Sequence, residues 1–137
     1  MVTITGEYLG DLRCRAIHQP SGTVLETDAP KDNQGRGESF SPTDLCATSL
    51  MTCMATIMGI CSRTIGYDLA SLKMEVRKHM TSTPPRRIEK LIVIFRFPRP
   101  ADADTQLKLR RAAETCPVHH SLHPDVRVDL QFLWPDA

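Results

Sequence analysis

The segment from Ser41 to Arg63, reading SPTDLCATSLMTCMATIMGICSR, constrains the fold more than any other stretch. Between Asp44 and Arg63 it has neither a charge nor a proline, and it holds three of the five cysteines: Cys46, Cys53 and Cys61. Its start is marked by Ser41 as a cap, by Pro42 at the first helical position and by Asp44 at capping-box spacing, so a helix is predicted from Ser41. Leu45, Leu50, Met51, Met54, Ile57, Met58 and Ile60 share no single face, which predicts a helix buried all round. A membrane span is the competing explanation. Thr48, Ser49, Thr52, Thr56 and Ser62 interrupt the run and no basic clusters flank it, which sets that explanation aside. A small domain seldom surrounds so apolar a helix with its own residues, so burial against a second copy, as an interlocked homodimer, is expected.

At 137 residues the chain reads as one domain, 1–137, large enough for a core. A net charge of +1 argues against nucleic acid, which selects a strongly basic face. The N-terminus MVTITGEYLG has neither a basic start nor a long apolar run, so a cytoplasmic location is expected. In that compartment an odd count of cysteines is not a disulfide scaffold, and the thiols are candidates for chemistry, metal binding or simple burial.

Three strands are predicted first, at Val2 to Leu9, Leu12 to His18 and Thr23 to Thr27, joined by turns at Gly10-Asp11 and Pro20-Ser21-Gly22. Asp28 to Phe40 is polar, contains glycine and has no apolar period, so it reads as a loop. After the central helix, Leu72 to Thr81 alternates with Leu72, Met74 and Val76 inward, and Thr83-Pro84-Pro85 interrupts the chain. Arg87 to Phe97 reads as a strand covered on both faces, and Ala101 to Thr115 as a helix with acids first and bases later. Cys116-Pro117 opens a short helix, and Asp125 to Trp134 closes the chain as an alternating strand. The order predicts an α+β domain with its sheet packed on the buried helix.

Cys53 lies near the middle of that helix, where an ordinary thiol rests inert. Cys116 precedes Pro117 and a helix start, where free N–H groups favour a thiolate. Taken alone, each reads equally as a core thiol or a cap. Taken together, Ser41-Pro42-Thr43-Asp44-Leu45, then Cys53 eleven residues after the proline, then Cys116-Pro117-Val118, resemble the OsmC/Ohr family of osmotically inducible and organic hydroperoxide resistance proteins. The resemblance spans most of the chain. It implies a dimer with two central helices between sheets. It also implies that Cys53 attacks an organic or hydrogen peroxide to become a sulfenic acid, that Cys116 resolves it as a disulfide, and that a dithiol reductant reopens that bond. No cofactor is implied.

The family also supplies an arginine beside the thiolate, held by a glutamate in the first turn of the helix. By its place in the second strand Arg15 is the first choice for that arginine, with Arg13 and Arg36 as alternatives; for Arg13 and Arg15 a solvated strand face is the plain reading. The glutamate position is Thr43 here, with Asp44 next to it and Glu38 a few residues earlier. That departure bears on activity rather than on fold. It leaves open a second reading, a redox-sensing or small-ligand-binding module without fast turnover.

Cys14, alternating with Leu12 and Ala16, is expected to face the core, and Cys46 and Cys61 read as structural. Met51, Met54 and Met58 fit either the core or an apolar pocket. Cys116, His119, His120 and His123 are possible zinc ligands within eight residues, but the second ligand pair that zinc sites draw from another segment is missing. The histidines then read as neighbours of a reactive thiol.

Overall fold

The computed structural model describes all 137 residues. In chain order the elements are β1 (Ile4–Gly10), β2 (Arg13–His18), β3 (Thr23–Asp28), a 3-10 turn (Lys31–Asn33), α1 (Pro42–Ile65), β4 (Lys73–Met80), β5 (Ile88–Arg96), α2 (Ala103–Glu114), α3 (Pro117–Ser121) and β6 (Arg127–Leu133). The α+β class holds, but the strands form two three-stranded sheets, β1-β2-β3 and β4-β5-β6, rather than one. Alternation in sequence reveals a strand and its faces; it does not reveal which strand is its neighbour. The chain divides into two compact units, Met1–Cys46 and Ala47–Ala137.

In the first unit β1, β2 and β3 form an antiparallel meander, with Thr5 opposite Ile17 and Ala16 opposite Leu25. The β1–β2 turn holds Asp11 and Leu12 at φ 52° and 63°, the two positive angles of a type I′ turn. The polar stretch 28–40 is organised around Asp28, which is 1% exposed. Its Oδ2 accepts the Glu38 N–H at 3.0 Å, and its own N–H donates to the Phe40 carbonyl at 3.1 Å. Gly35 closes the same loop, since a Cβ there would overlap the Ala29 carbonyl. No apolar side chain of this unit is fully buried, and Val2, Ile4, Tyr8, Val24 and Phe40 are each more than half exposed. Cys14 is exposed too, contrary to the expected inward face, because this sheet has no covered side for it to face.

The start of α1 follows the sequence closely. The Ser41 N–H donates to Asp44 Oδ2 at 2.9 Å and the Asp44 N–H to Ser41 Oγ at 3.1 Å, a reciprocal capping box with aspartate in the acid position. Its end is a left-handed Gly66 (φ 73°) with the Tyr67 N–H donating back to the Ser62 carbonyl at 3.1 Å, a Schellman closure.

Along α1 the buried residues are Ala47, Leu50, Met54, Met58 and Ser62, which make one stripe. The expectation of burial all round is not met in the single chain: Ile60 is 59% exposed, and Thr52 and Thr56 face outward. Those threonines donate their hydroxyls to the carbonyls of Thr48 and Thr52, each at 2.8 Å, so the outer face presents little free polarity. By length and composition alone α1 could cross a membrane. Met54 and Met58, fully buried, mark it as a core helix and answer the pocket question for those two side chains.

Within the second unit β5 is central, antiparallel to β4 and parallel to β6. The parallel pair needs a long crossover, and α2 and α3 supply it. Leu91, Val93, Ile94 and Phe95 of β5 join Leu109 and Ala113 of α2 and the α1 stripe in the core. Met74, expected inward, is 39% exposed because β4 is an edge strand.

Candidate functional site

Cys53 stands on α1 between Thr52 and Met54, at the margin of the buried stripe, and is half-buried. Cys116 comes from the end of the β5–β6 crossover. The N–H groups of Thr115 and Cys116 donate to the carbonyls of Ala112 and Ala113 at 3.1 and 3.2 Å, closing α2 in a tight last turn. Cys116 then leaves the helical region (φ −56°, ψ 129°) and becomes the N-cap of α3, with Pro117 supplying the first helical position. This reversal turns its side chain into the core, where Cys116 is 0% exposed.

Its Sγ accepts the His119 N–H at 3.4 Å, and Cys53 is near enough to help raise the Cys116 thiol pKa. Two thiols far apart in sequence thus share one site, and all five cysteines are free thiols.

The electrostatics of Cys116 differ from the sequence expectation. Burial, followed by the neighbouring Cys53 thiol, pushes its thiol above the ordinary value, while the N–H groups of His119 and Val118 pull it down. The helix-start effect is therefore present, but α3 has only five residues and desolvation outweighs it. Because the folded pKa is raised, the folded chain holds this proton more tightly. The resulting stability is present below the ordinary thiol pKa of 9.0 and is lost as pH rises past it. We expect the melting temperature of the reduced protein to fall more steeply above about pH 9 than that of Cys116→Ala. Parallel slopes in the two proteins would show that Cys116 carries no such linkage.

All three candidate arginines are engaged with acids inside the first unit. Arg15 pairs with Glu26 at 2.9 Å, also through its Nε at 3.2 Å. Arg13 pairs with Glu38 at 2.8 Å and reaches Asp28 at 3.5 Å; Arg36 lies 4.0 Å from Glu38. The Glu38 partner raises the Arg13 pKa, so this guanidinium stays charged. Of the two acids flanking Thr43, Asp44 caps α1 and Glu38 holds arginine. Sequence reasoning missed Asp28, the buried acid behind Arg13. Its only signal was its position at the last residue of a strand, before a polar loop.

Nowhere do three His, Cys, Asp or Glu side chains converge as metal ligands, and the His119 and His120 rings lie 6.3 Å apart and near parallel.

The sequence model of the family described as OsmC-like protein matches residues 35–131. No curated protein matches the chain. Among solved structures, a Psychrobacter arcticus protein, provisionally named an osmotic stress induced and detoxification response protein, is 45% identical over 96% of both chains, with a TM-score of 0.92. An OsmC-like protein from Mycoplasma pneumoniae is 15% identical, covering 99% of this chain and 98% of its own, with a TM-score of 0.83. An organic hydroperoxide resistance protein from Legionella pneumophila, also 15% identical, covers 97% and 96% with a TM-score of 0.76. At 15% identity the likeness is one of fold.

Proposed function

The chain belongs to the OsmC-like protein family, and from that premise we propose that it is a cysteine-based peroxidase reducing organic hydroperoxides or hydrogen peroxide. The Cys53 thiolate attacks the terminal peroxide oxygen. An S–O bond forms, the O–O bond breaks, and the alcohol or water leaves with a proton. The Cys116 sulfur then attacks Cys53 Sγ, an S–S bond forms and hydroxide departs as water. A dithiol reductant restores both thiols and leaves as its own disulfide. Arg15 keeps the supporting role for the thiolate in this scheme, with Arg13 and Arg36 as the alternatives.

The observation that carries the proposal is that Cys53 and Cys116, far apart in sequence, lie close enough for one to perturb the other's titration. A nucleophile needs its resolving partner at hand before over-oxidation intervenes, and a pair of unrelated core thiols has no reason to meet on the N-cap of a helix. The hydroperoxide resistance name of the Legionella structure and the detoxification name of the Psychrobacter one agree with that chemistry. The specific observation favouring the second reading, a slow redox sensor or ligand-binding module, is Thr43 at the acid position together with a Cys116 thiol pushed up by burial. Stopped-flow mixing of the reduced protein with cumene hydroperoxide and with hydrogen peroxide separates the two. Thiol loss no faster than in free cysteine would sink the peroxidase.

The same proposal takes the single domain to be completed by a second copy, in the cytoplasm. Three strands with no buried apolar side chain, and an α1 face that leaves Ile60 exposed, leave large apolar surfaces open to water. Burying such surfaces is the usual driving force for an obligate homodimer. Light scattering should give twice the chain mass of 15.3 kDa at micromolar concentration; a monodisperse monomer would refute the dimer.

A further inference from the structure

The Cys116-Pro117-Val118-His119 segment holds one group that the scheme above leaves unused. The Nδ1 atom of His119 is buried and has no hydrogen-bond partner, one of only two such side-chain atoms in the chain. A buried polar atom without a partner is costly, and its retention calls for a reason. His119 is also the residue whose amide donates to Cys116 Sγ, at 3.4 Å. It occupies the third position of α3, from which a side chain reaches back toward the N-cap residue, as the acid does in a capping box. On its other side His119 lines a groove of about 700 Å³ together with Arg110 and Glu114 of α2 and Asp129 of β6. His119 therefore touches the buried thiol through its amide and also lines an opening to solvent.

We propose that His119 is the proton carrier for Cys116. The inference rests on the peroxidase reading for the direction of the reaction. Cys116 must lose a proton to attack Cys53 sulfenic acid, and it lies where water does not reach. The His119 imidazole takes that proton as the S–S bond forms and the S–O bond of Cys53 breaks, and it delivers the proton to the departing hydroxide, which leaves as water. When a dithiol reductant opens the disulfide, Cys116 departs as a thiolate. The reductant supplies two electrons and two protons, one of which passes through the His119 imidazole to Cys116 while the other ends on Cys53. The charged groups that share the groove with the imidazole are Arg110, Glu114 and Asp129, and on its own segment Cys116 and His120 are the titratable neighbours. Within this cluster Glu114 lies 4.0 Å from Arg110, and Asp129 lies 3.9 Å from Lys90 of β5.

The test follows two phases of one stopped-flow trace over roughly pH 5 to 9, formation of the Cys53 sulfenic acid and its conversion to disulfide, in wild type and His119→Asn. The expected result is a disulfide phase slowed about 10²-fold relative to the sulfenic phase of the same variant, with loss of the wild-type inflexion on the acid side. Added imidazole should restore the disulfide phase of His119→Ala, which a purely structural role for the ring would not allow. Equal ratios of the two phases in wild type and both variants would overturn the proposal. If peroxide produces no sulfenic phase even in wild type, the peroxidase reading has failed by itself. The disulfide is then formed with diamide and its opening by dithiothreitol is timed, and a rate indifferent to His119→Asn at every pH rejects His119.

Discussion

Under the proposed peroxidase reading, Cys53→Ser is expected to abolish peroxide consumption, lowering the second-order rate by at least about 10³-fold, to the background of the remaining thiols. The loss is large because nucleophilic attack on the O–O bond has no substitute: a serine hydroxyl at the same place on α1 is far too weak an acid to ionise, and Cys116 is 0% exposed. Cys116→Ser behaves differently. It keeps the first attack, so a single turnover still consumes one peroxide per site, but the Cys53 sulfenic acid persists and can be trapped by dimedone as an adduct seen by mass spectrometry. The two variants together separate a peroxidase from a sensor. In the sensor reading wild type and Cys116→Ser form the adduct equally slowly, and Cys53→Ser costs nothing measurable in peroxide turnover. In the peroxidase reading wild type shows almost no adduct, because resolution outruns trapping.

Why the elements were readable while the electrostatics of Cys116 were not comes down to the range of each signal. The capping box at Ser41 and Asp44 is a local device, complete within four residues, and its hydrogen bonds follow from residue type and spacing. The strands and α2 are likewise legible from periodicity. The identity of Cys53 and Cys116 as partners came from resemblance to a family, because nothing within either segment points to the other. What sequence misjudged was set by solvent. Cys14 alternates like a core residue yet is exposed, and Met74 alternates the same way on an uncovered edge strand. The N-cap position of Cys116 was apparent, whereas the desolvation that outweighs it depends on burial that no local window reveals. His119 was read from sequence only as a neighbour of a reactive thiol, since an unpartnered nitrogen can be seen only once every neighbour is in place.

Phe95→Ala should cost about 3–5 kcal/mol of folding stability. Phe95 is 0% exposed on the central strand of its sheet, opposite Met74 on one side and Phe132 on the other, with the Phe132 ring 5.5 Å away. No neighbour can collapse into the space without moving strand backbone, so both the transfer and the cavity contributions are felt. The consequence reaches the candidate site, because Cys116 is buried in the same core. A thiol reagent meets Cys116 only after some opening of the chain, and if that opening is global unfolding, a loss of about 3 kcal/mol speeds labelling by about 10²-fold. Labelling of the half-exposed Cys61 needs no such opening and should change little, which gives an internal reference. If instead the melting temperature drops while the Cys116 labelling rate stays fixed, the thiol is reached by a local swing of the short α3 between Cys116 and Leu122. Resolution of Cys53 and release of the proton through His119 would then share one small motion, and the speed of that motion would set the limit on turnover.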